Sequence, residues 1–243
     1  MKKLKNKIAL VTGSNGGIGK EIVKRFLKNG AEVICCVRKI DKDFDKFILA
    51  YKKKFKNKIM VIEFNLSNEK EIIASIKKIF KEKKKLDVLV NNAGAPHGSL
   101  LEMTSIENLK DIFQINFFSQ IKIIQLCSRF LKKSKNSSII NIGSLSGLTA
   151  IRGSLAYGSS KAAFMFASKI ISKEFHPYGI RVNSIAPSVT KTKMLKKMSK
   201  ASLNEILKIS KLKKPLLSSD VANKVLYLAS DESSNINGKI VKI

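Results

Sequence analysis

Tyr157 and Lys161 stand four residues apart in a stretch, residues 156–175, that reads as a helix, so both side chains share one face. A free phenol titrates near pH 10 and is a poor proton carrier at neutral pH, at about three units' distance. An ammonium beside it favours the phenolate and is expected to lower that value, which makes the pair a general acid/base. Ser144 follows a short apolar run, residues 138–142, where a hydroxyl can bond a substrate oxygen. Each residue alone has a plainer reading. Tyr-x-x-x-Lys is common on helix faces, and a lone Ser after a strand is often a turn or cap.

A second cluster lies near the N-terminus. Gly13, Gly17 and Gly19 give the spacing G-x-x-x-G-x-G in a loop that also holds Ser14, Asn15, Gly16 and Ile18. The loop follows an apolar run, residues 7–12, and opens a helix-periodic stretch, residues 17–29, with Ile18, Ile22, Phe26 and Leu27 on one side. Glycine tolerates positive φ in a tight turn, and its missing Cβ lets backbone N–H groups at a helix N-terminus approach a phosphate. A glycine loop between strand and helix is therefore expected to hold a dinucleotide.

These residues need a scaffold, and the remaining pattern supplies one. Strands are expected at 32–37, 58–64, 86–90, 138–142, 180–185 and 239–243, and helices at 41–55, 68–83, 106–131, 156–175 and 218–228. The strands are apolar without clean alternation, as in a parallel sheet covered on both faces. Repeated strand–helix units with right-handed crossovers predict an α/β Rossmann-type fold. It is doubly wound, a three-layer αβα sandwich, and forms a single domain over residues 1–243. Residues 187–215 break the rhythm and read as an insertion after the sixth strand.

Thr-Gly-x-x-x-Gly-x-Gly at the N-terminus, then Asn91-Asn92-Ala93-Gly94, Ser144 and Tyr157-x-x-x-Lys161, resembles the short-chain dehydrogenase/reductase family over nearly the whole chain. Within it the sequence is most similar to the 3-oxoacyl-(acyl-carrier-protein) reductase group. The resemblance implies hydride transfer between nicotinamide and a carbonyl or secondary alcohol, with Tyr157 as general acid/base. It implies that Ser144 bonds the substrate oxygen and that Asn116 holds a water linking Lys161 to solvent. Lys161 would also bind the nicotinamide ribose. Asn92, Ala93 and Gly94 would pass close to the adenosine half of the cofactor. Asn65, with Leu66 beside it, stands where the family commonly has an Asp against adenine. Pro187, Val189 and Thr192 lie in a segment, residues 187–194, that resembles the family's Pro-Gly-x-x-x-Thr-x-Met. Thr192 would contact the pyrophosphate or carboxamide, and the Val189 backbone the carboxamide.

The end of the second strand bears on the cofactor. An acid there bonds a ribose 2′-hydroxyl and repels a 2′-phosphate. Val37 takes that place and Arg38 follows. A guanidinium clamps a phosphate with two parallel bonds, so NADP(H) is expected over NAD(H). Against this, Gly16 stands where many NADP users carry a basic loop residue, and Arg38 could instead stack on adenine. Ser188 replaces the family's Gly after Pro187, which is expected to cost about 1 kcal/mol if the position needs positive φ. The chain also ends at Ile243, ahead of the family's usual Asp-Gly-Gly and tail, which puts its subunit contacts in question.

Composition bounds the rest. The chain has 243 residues, 44% hydrophobic and 27% charged, which excludes general disorder. Its net charge of +29 raises nucleic acid as a partner, but 42 of the 47 cations are Lys and five are Arg. With 31 Ile and 17 Asn as well, this reads as drift in an AT-rich genome, so no nucleic-acid partner is expected. Cys35, Cys36 and Cys127 have no metal spacing and read as buried apolar residues. No metal is expected. No secretory signal is read and no run reaches the ~18 apolar residues of a membrane span, so a cytoplasmic protein without membrane contact is expected. His97 reads as a surface residue and His176 as a helix-end partner of the dipole. Arg152 either meets an anionic substrate or is solvated.

Three functions remain open on these residues: a 3-oxoacyl-thioester reductase, a sugar or polyol dehydrogenase of polysaccharide metabolism, and a non-catalytic nucleotide-binding scaffold or regulator. By resemblance, the helices at 106–131 and 156–175 are expected to pair across a two-fold axis in a homodimer or homotetramer.

Overall fold

The computed structural model describes residues 2–56, 58–192, 195 and 200–243, with residues 201 and 202 described by backbone alone. Seven parallel strands form one sheet in the order β3-β2-β1-β4-β5-β6-β7. They are β1 (Ile8–Thr12), β2 (Glu32–Val37), β3 (Ile59–Glu63), β4 (Val88–Asn91), β5 (Ser137–Ile142), β6 (Ile180–Ala186) and β7 (Ile240–Lys242). The strand order reverses between β1 and β4, so a crevice opens beyond their carboxyl ends, where doubly wound sheets hold ligands.

Each face of the sheet carries its own core. On one side α1 (Gly17–Lys28), α2 (Lys42–Lys54) and α8 (Ser218–Ala229) bury Ile22, Phe26, Phe44 and Val225 against Val11, Val33 and Cys35. On the other, α3 (Glu69–Glu82), α5 (Ser119–Leu131) and α6 (Leu155–Phe175) bury Ile76, Cys127 and Phe164 against Leu10, Ile34 and Cys36. Adjacent strand residues point to opposite faces, so Cys35 and Cys36 enter different cores. Burial pushes the Cys35 thiol up to about 12 and raises the other two as well, so all three are inert apolar packing.

Several expectations change. The connection from β6 to β7 runs through α8 on the face of α1. Strands β4, β5 and β6 advance across the sheet through helices on the opposite face. This last crossover is therefore left-handed, against the usual hand expected for all of them. The helix expected at 106–131 is α4 (Ile106–Phe113) and α5 joined by a π-helical turn, Gln114–Phe118. The extra residue of such a turn re-aims the side chains at its centre, here Asn116. Within the expected insertion lies α7 (Lys200–Ser210), with Leu203, Ile206 and Leu207 recurring at helical spacing. Ser188 is not among the residues with positive φ, so the expected strain is absent there. Among the described residues, no helix is long and apolar enough to cross a membrane.

Candidate active site

A cleft of about 730 Å3 runs along the carboxyl ends of β2, β1, β4, β5 and β6. Its floor at one end is the glycine loop. Gly13 has φ +65°, and a Cβ there would lie 2.9 Å from the Ala93 Cα. A Cβ on Gly19 would fall 2.1 Å from the Gly13 carbonyl oxygen, so the loop closes on α1 only without one. The loop is fixed from β4. Asn92 donates to the Thr12 and Gly13 carbonyls at 2.9 and 3.1 Å, and the Thr12 hydroxyl accepts from the Asn92 and Ala93 N–H groups, each at 3.0 Å.

At the N-terminus of α1 no side chain caps the helix and no acid occupies its first turn. Among the described residues, the N–H groups of Gly17, Ile18 and Gly19 have no hydrogen-bond partner within the chain. These donors, with the positive end of the helix dipole, suit a pyrophosphate. Thr192 closes over them: a Cβ on Gly17 would lie 3.1 Å from its methyl carbon. Arg38 is exposed at the end of β2, and Asn15 ties the loop to the Lys39 carbonyl at 3.3 Å, which holds Arg38 beside the loop. No carboxylate side chain lines the cleft among the described residues. The free donors, the close backbone approach and the absence of acidic repulsion fit a nicotinamide dinucleotide.

The other end carries the proton chemistry. Ser144 caps the 3-10 turn Leu145–Gly147, its hydroxyl oxygen accepting from the Ser146 N–H at 3.2 Å, and the same hydroxyl is within hydrogen-bond reach of the Tyr157 phenol. Lys161 is buried and donates to the Ile142 carbonyl at 2.8 Å. Its Nζ lies 5.9 Å from the Tyr157 ring centre. A Cβ on Gly94 would sit 3.1 Å from Asn116 Oδ1 and 3.2 Å from Nζ, so a side chain there would crowd both. Burial lowers the Lys161 ammonium to about 8. Burial raises the Tyr157 phenol, and the neighbouring Ser144 hydroxyl offsets this in part. The expected lowering of Tyr157 by Lys161 is thus not what the geometry gives: desolvation outweighs a cation directed at the Ile142 carbonyl. A raised phenol remains protonated at neutral pH and can act as an acid.

Asn116 is fully buried beneath the cleft. Its Oδ1 accepts from the Ala95 N–H at 2.8 Å, and its Nδ2 donates to the Ala95 carbonyl at 3.0 Å and to Ser160 Oγ at 3.1 Å. Ser160 in turn donates to the Tyr157 carbonyl at 2.8 Å. Both amide hydrogens are engaged, so the side chain clamps the β4 loop to α6.

Of the expected contacts, Gly13, Asn15, Gly16, Gly17, Ile18, Gly19, Arg38, Asn65, Leu66, Asn92, Ala93, Gly94, Ser144, Tyr157, Lys161, Pro187, Val189 and Thr192 line the cleft. Ser14 does not. It is buried under the loop, its hydroxyl donating to the Val11 carbonyl at 2.7 Å. Asn65 Oδ1 already accepts from the Ser67 N–H at 3.1 Å. Lys193 and Met194 lie outside the described residues. Among the lining residues not named individually from the sequence, Leu195 and Ile206 pack with Leu145, Ile151 and Val189 over the Ser144 end, making it apolar. The signal for them was the helical spacing of Leu203, Ile206 and Leu207 within an apparently irregular segment.

Comparison with known proteins gives concordant matches. The short chain dehydrogenase family model matches residues 7–203. The chain is 30% identical over 244 residues to the 3-oxoacyl-(acyl-carrier-protein) reductase FabG of Thermotoga maritima, covering 99% of this chain and 97% of that protein. It is 33% identical over 241 residues to the FabG of Chlamydia muridarum, covering 99% and 96%. The fold matches the crystal structure of a short chain dehydrogenase from Burkholderia cenocepacia in complex with NADP. That match has a TM-score of 0.91 and 25% identity and covers 99% of this chain and 97% of the other.

Proposed function

Because the chain belongs to the short-chain dehydrogenase family, and so is an NAD(P)-dependent oxidoreductase, we propose that it is an NADP(H)-dependent reductase of 3-oxoacyl thioesters on an acyl carrier. The observation that carries this reading is the placing of Ser144, Tyr157 and Lys161 at the mouth of an apolar chamber lined by Leu145, Val189, Leu195 and Ile206. An acyl chain fits such walls. A sugar or polyol would find no hydrogen-bond partner on those four side chains, and an unpaired hydroxyl is costly. The non-catalytic reading has no support in a site that keeps its proton-handling groups together.

A reduced nicotinamide, when bound, supplies the hydride for the carbonyl carbon. Tyr157 gives its proton to the carbonyl oxygen, and Ser144 donates a hydrogen bond to the same oxygen. The Lys161 ammonium stabilises the phenolate left behind and bonds the nicotinamide ribose. Asn116 is a positioning residue that holds Ala95 against α6. The free N–H groups of α1 take the pyrophosphate. Asn92 and Ala93 set the height of the loop beneath it. Tested with NADPH, 3-oxoacyl thioesters are expected to be reduced and a polyol panel with NADP+ to be inert; the reverse pattern sinks the substrate assignment.

Arg38 is the group we assign to a 2′-phosphate. For Arg38→Ala the ratio of kcat/KM for NADPH over NADH is expected to fall about tenfold, the lower end of what a charge-assisted hydrogen bond gives at an exposed site. The NADH value should not move. An unchanged ratio removes the argument for NADP(H).

On α6, Leu155, Phe166 and Ile170 recur at helical spacing and are 40%, 65% and 47% exposed. We propose that this stripe pairs with a second copy. Light scattering is expected to give the mass of a dimer or a larger oligomer; a monomer at micromolar concentration contradicts it.

A further inference from the structure

At the end of the cleft away from Tyr157, the chain leaves β3 through Phe64, Asn65 and Leu66, all of which line the cleft. Asn65 is committed to its own turn. Its N–H donates to Glu71 Oε2 at 2.8 Å, its Oδ1 accepts from the Ser67 N–H at 3.1 Å, and its carbonyl accepts from the Asn68 N–H at 3.0 Å. Leu66 differs. Its N–H has no partner among the described residues, while its carbonyl is held by a side chain 53 residues further on: the Ser119 hydroxyl donates to it. The Leu66 side chain packs on the core under α3 and α5, so the residue is fixed from two sides.

Ser119 is buried at the first position of α5, directly after the π turn. Asn116, Ser119 and Gln120 stand at i, i+3 and i+4 and share one helix face. Each bonds a residue that lines the cleft. Asn116 takes Ala95, Gln120 Nε2 donates to the Ala93 carbonyl at 3.2 Å, and Ser119 takes Leu66. The first two serve the loop after β4; Ser119 alone of the three crosses to the loop after β3. Among the described residues, it is the one side chain from beyond α3 that bonds residues 64–68. Gln114 sets the direction of that bond. Its Nε2 donates to Ser119 Oγ at 3.1 Å, which leaves the single hydroxyl hydrogen for Leu66.

We infer that Ser119 is the positioning residue of the base end: it fixes the Leu66 turn, and with it the free Leu66 N–H, against the purine of the dinucleotide. The inference rests on the dinucleotide reading of the cleft. With the pyrophosphate at α1 and the hydride end at Ser144 and Tyr157, the base falls at the opposite end, beside β2 and β3. Purine ring nitrogens accept hydrogen bonds, and an unpaired backbone N–H is the donor that meets one.

The test uses the full chain and two variants. In Ser119→Ala the dissociation constants for NADPH and NADH are expected to rise together, about fivefold, the scale of one neutral hydrogen bond. Adenosine 2′,5′-bisphosphate, which lacks the nicotinamide, should weaken by the same factor. At saturating NADPH, kcat should stay within about twofold, since the catalytic end is untouched. Gln114→Glu keeps the shape and reverses the bond. At about pH 8 its carboxylate accepts where the amide donated, so the hydroxyl hydrogen turns away from Leu66 and the same loss of affinity is expected. Fluorescence quenching or calorimetry supplies the constants. Unchanged affinities in Ser119→Ala, or a fall in kcat with affinities intact, overturn the role. A loss in Ser119→Ala without one in Gln114→Glu reduces Ser119 to packing and overturns it as well. A loss confined to NADPH assigns the effect to the 2′-phosphate, again against the inference. A wild-type protein that binds neither dinucleotide overturns the cofactor reading of the cleft itself.

Discussion

Tyr157→Phe is expected to abolish reduction, with kcat lowered roughly 10^2- to 10^4-fold, the range of a positioned general acid. The substitution removes one oxygen from a half-buried ring whose backbone is held through Ser160 and Asn116, so the helix and the cleft are left intact. NADPH binding, followed by quenching or calorimetry, should remain within about twofold of wild type, since the mutation leaves the glycine loop and Lys161 in place. A variant that keeps more than a tenth of the wild-type rate contradicts the role given to this phenol.

Lys161→Met should be more damaging still, because the same ammonium is asked to do two things. Loss of the phenolate's counter-charge lowers kcat on the scale of Tyr157→Phe, and loss of a charged hydrogen bond to the ribose weakens the cofactor by about tenfold or more. A Tyr157 variant is therefore distinguished from a Lys161 variant by cofactor affinity. The pH profile carries a second signature. Lys161 is brought down to about 8 by burial, so it is charged below that pH and loses its charge above it. Reduction needs the cation and a protonated Tyr157, and Tyr157 is raised, so the phenol does not limit first. In the wild type, kcat/KM for NADPH should be level near pH 6–7 and fall as pH rises through about 8. A profile rising across that range contradicts the assignment.

Much of this site is legible from residue types because its constraints are local. Gly13 and Gly19 are demanded by a turn and a close approach within seven residues, and Tyr157 and Lys161 by one helical turn. Strands such as β1 and β2 are equally plain, since burial on both faces leaves nearly continuous apolar runs. What is not legible depends on contacts between distant segments. Asn116 sits in a sequence that propagates a helix, and its π turn follows from hydrogen bonds to Ala95 and Ser160, 21 and 44 residues away. The raised phenol of Tyr157 reflects burial by loops that no local pattern places. Ser14 shows the converse error: a loop position suggests contact with a ligand, but its hydroxyl turns inward to Val11. The left-handed crossover into β7 is likewise a matter of which face α8 covers, which its amphipathic pattern alone does not say.

The central claim is that this cleft moves a hydride from NADPH to the ketone of a 3-oxoacyl thioester while Tyr157 delivers the proton. It is tested most directly with 4-deuterated NADPH of either face and a 3-oxoacyl thioester, followed by mass spectrometry of the hydroxyacyl product. The predicted result is one deuterium at C3 from one of the two labelled cofactors, and none above background with Tyr157→Phe. NADPH consumption without label at C3, or no consumption at all with the thioester, would contradict it.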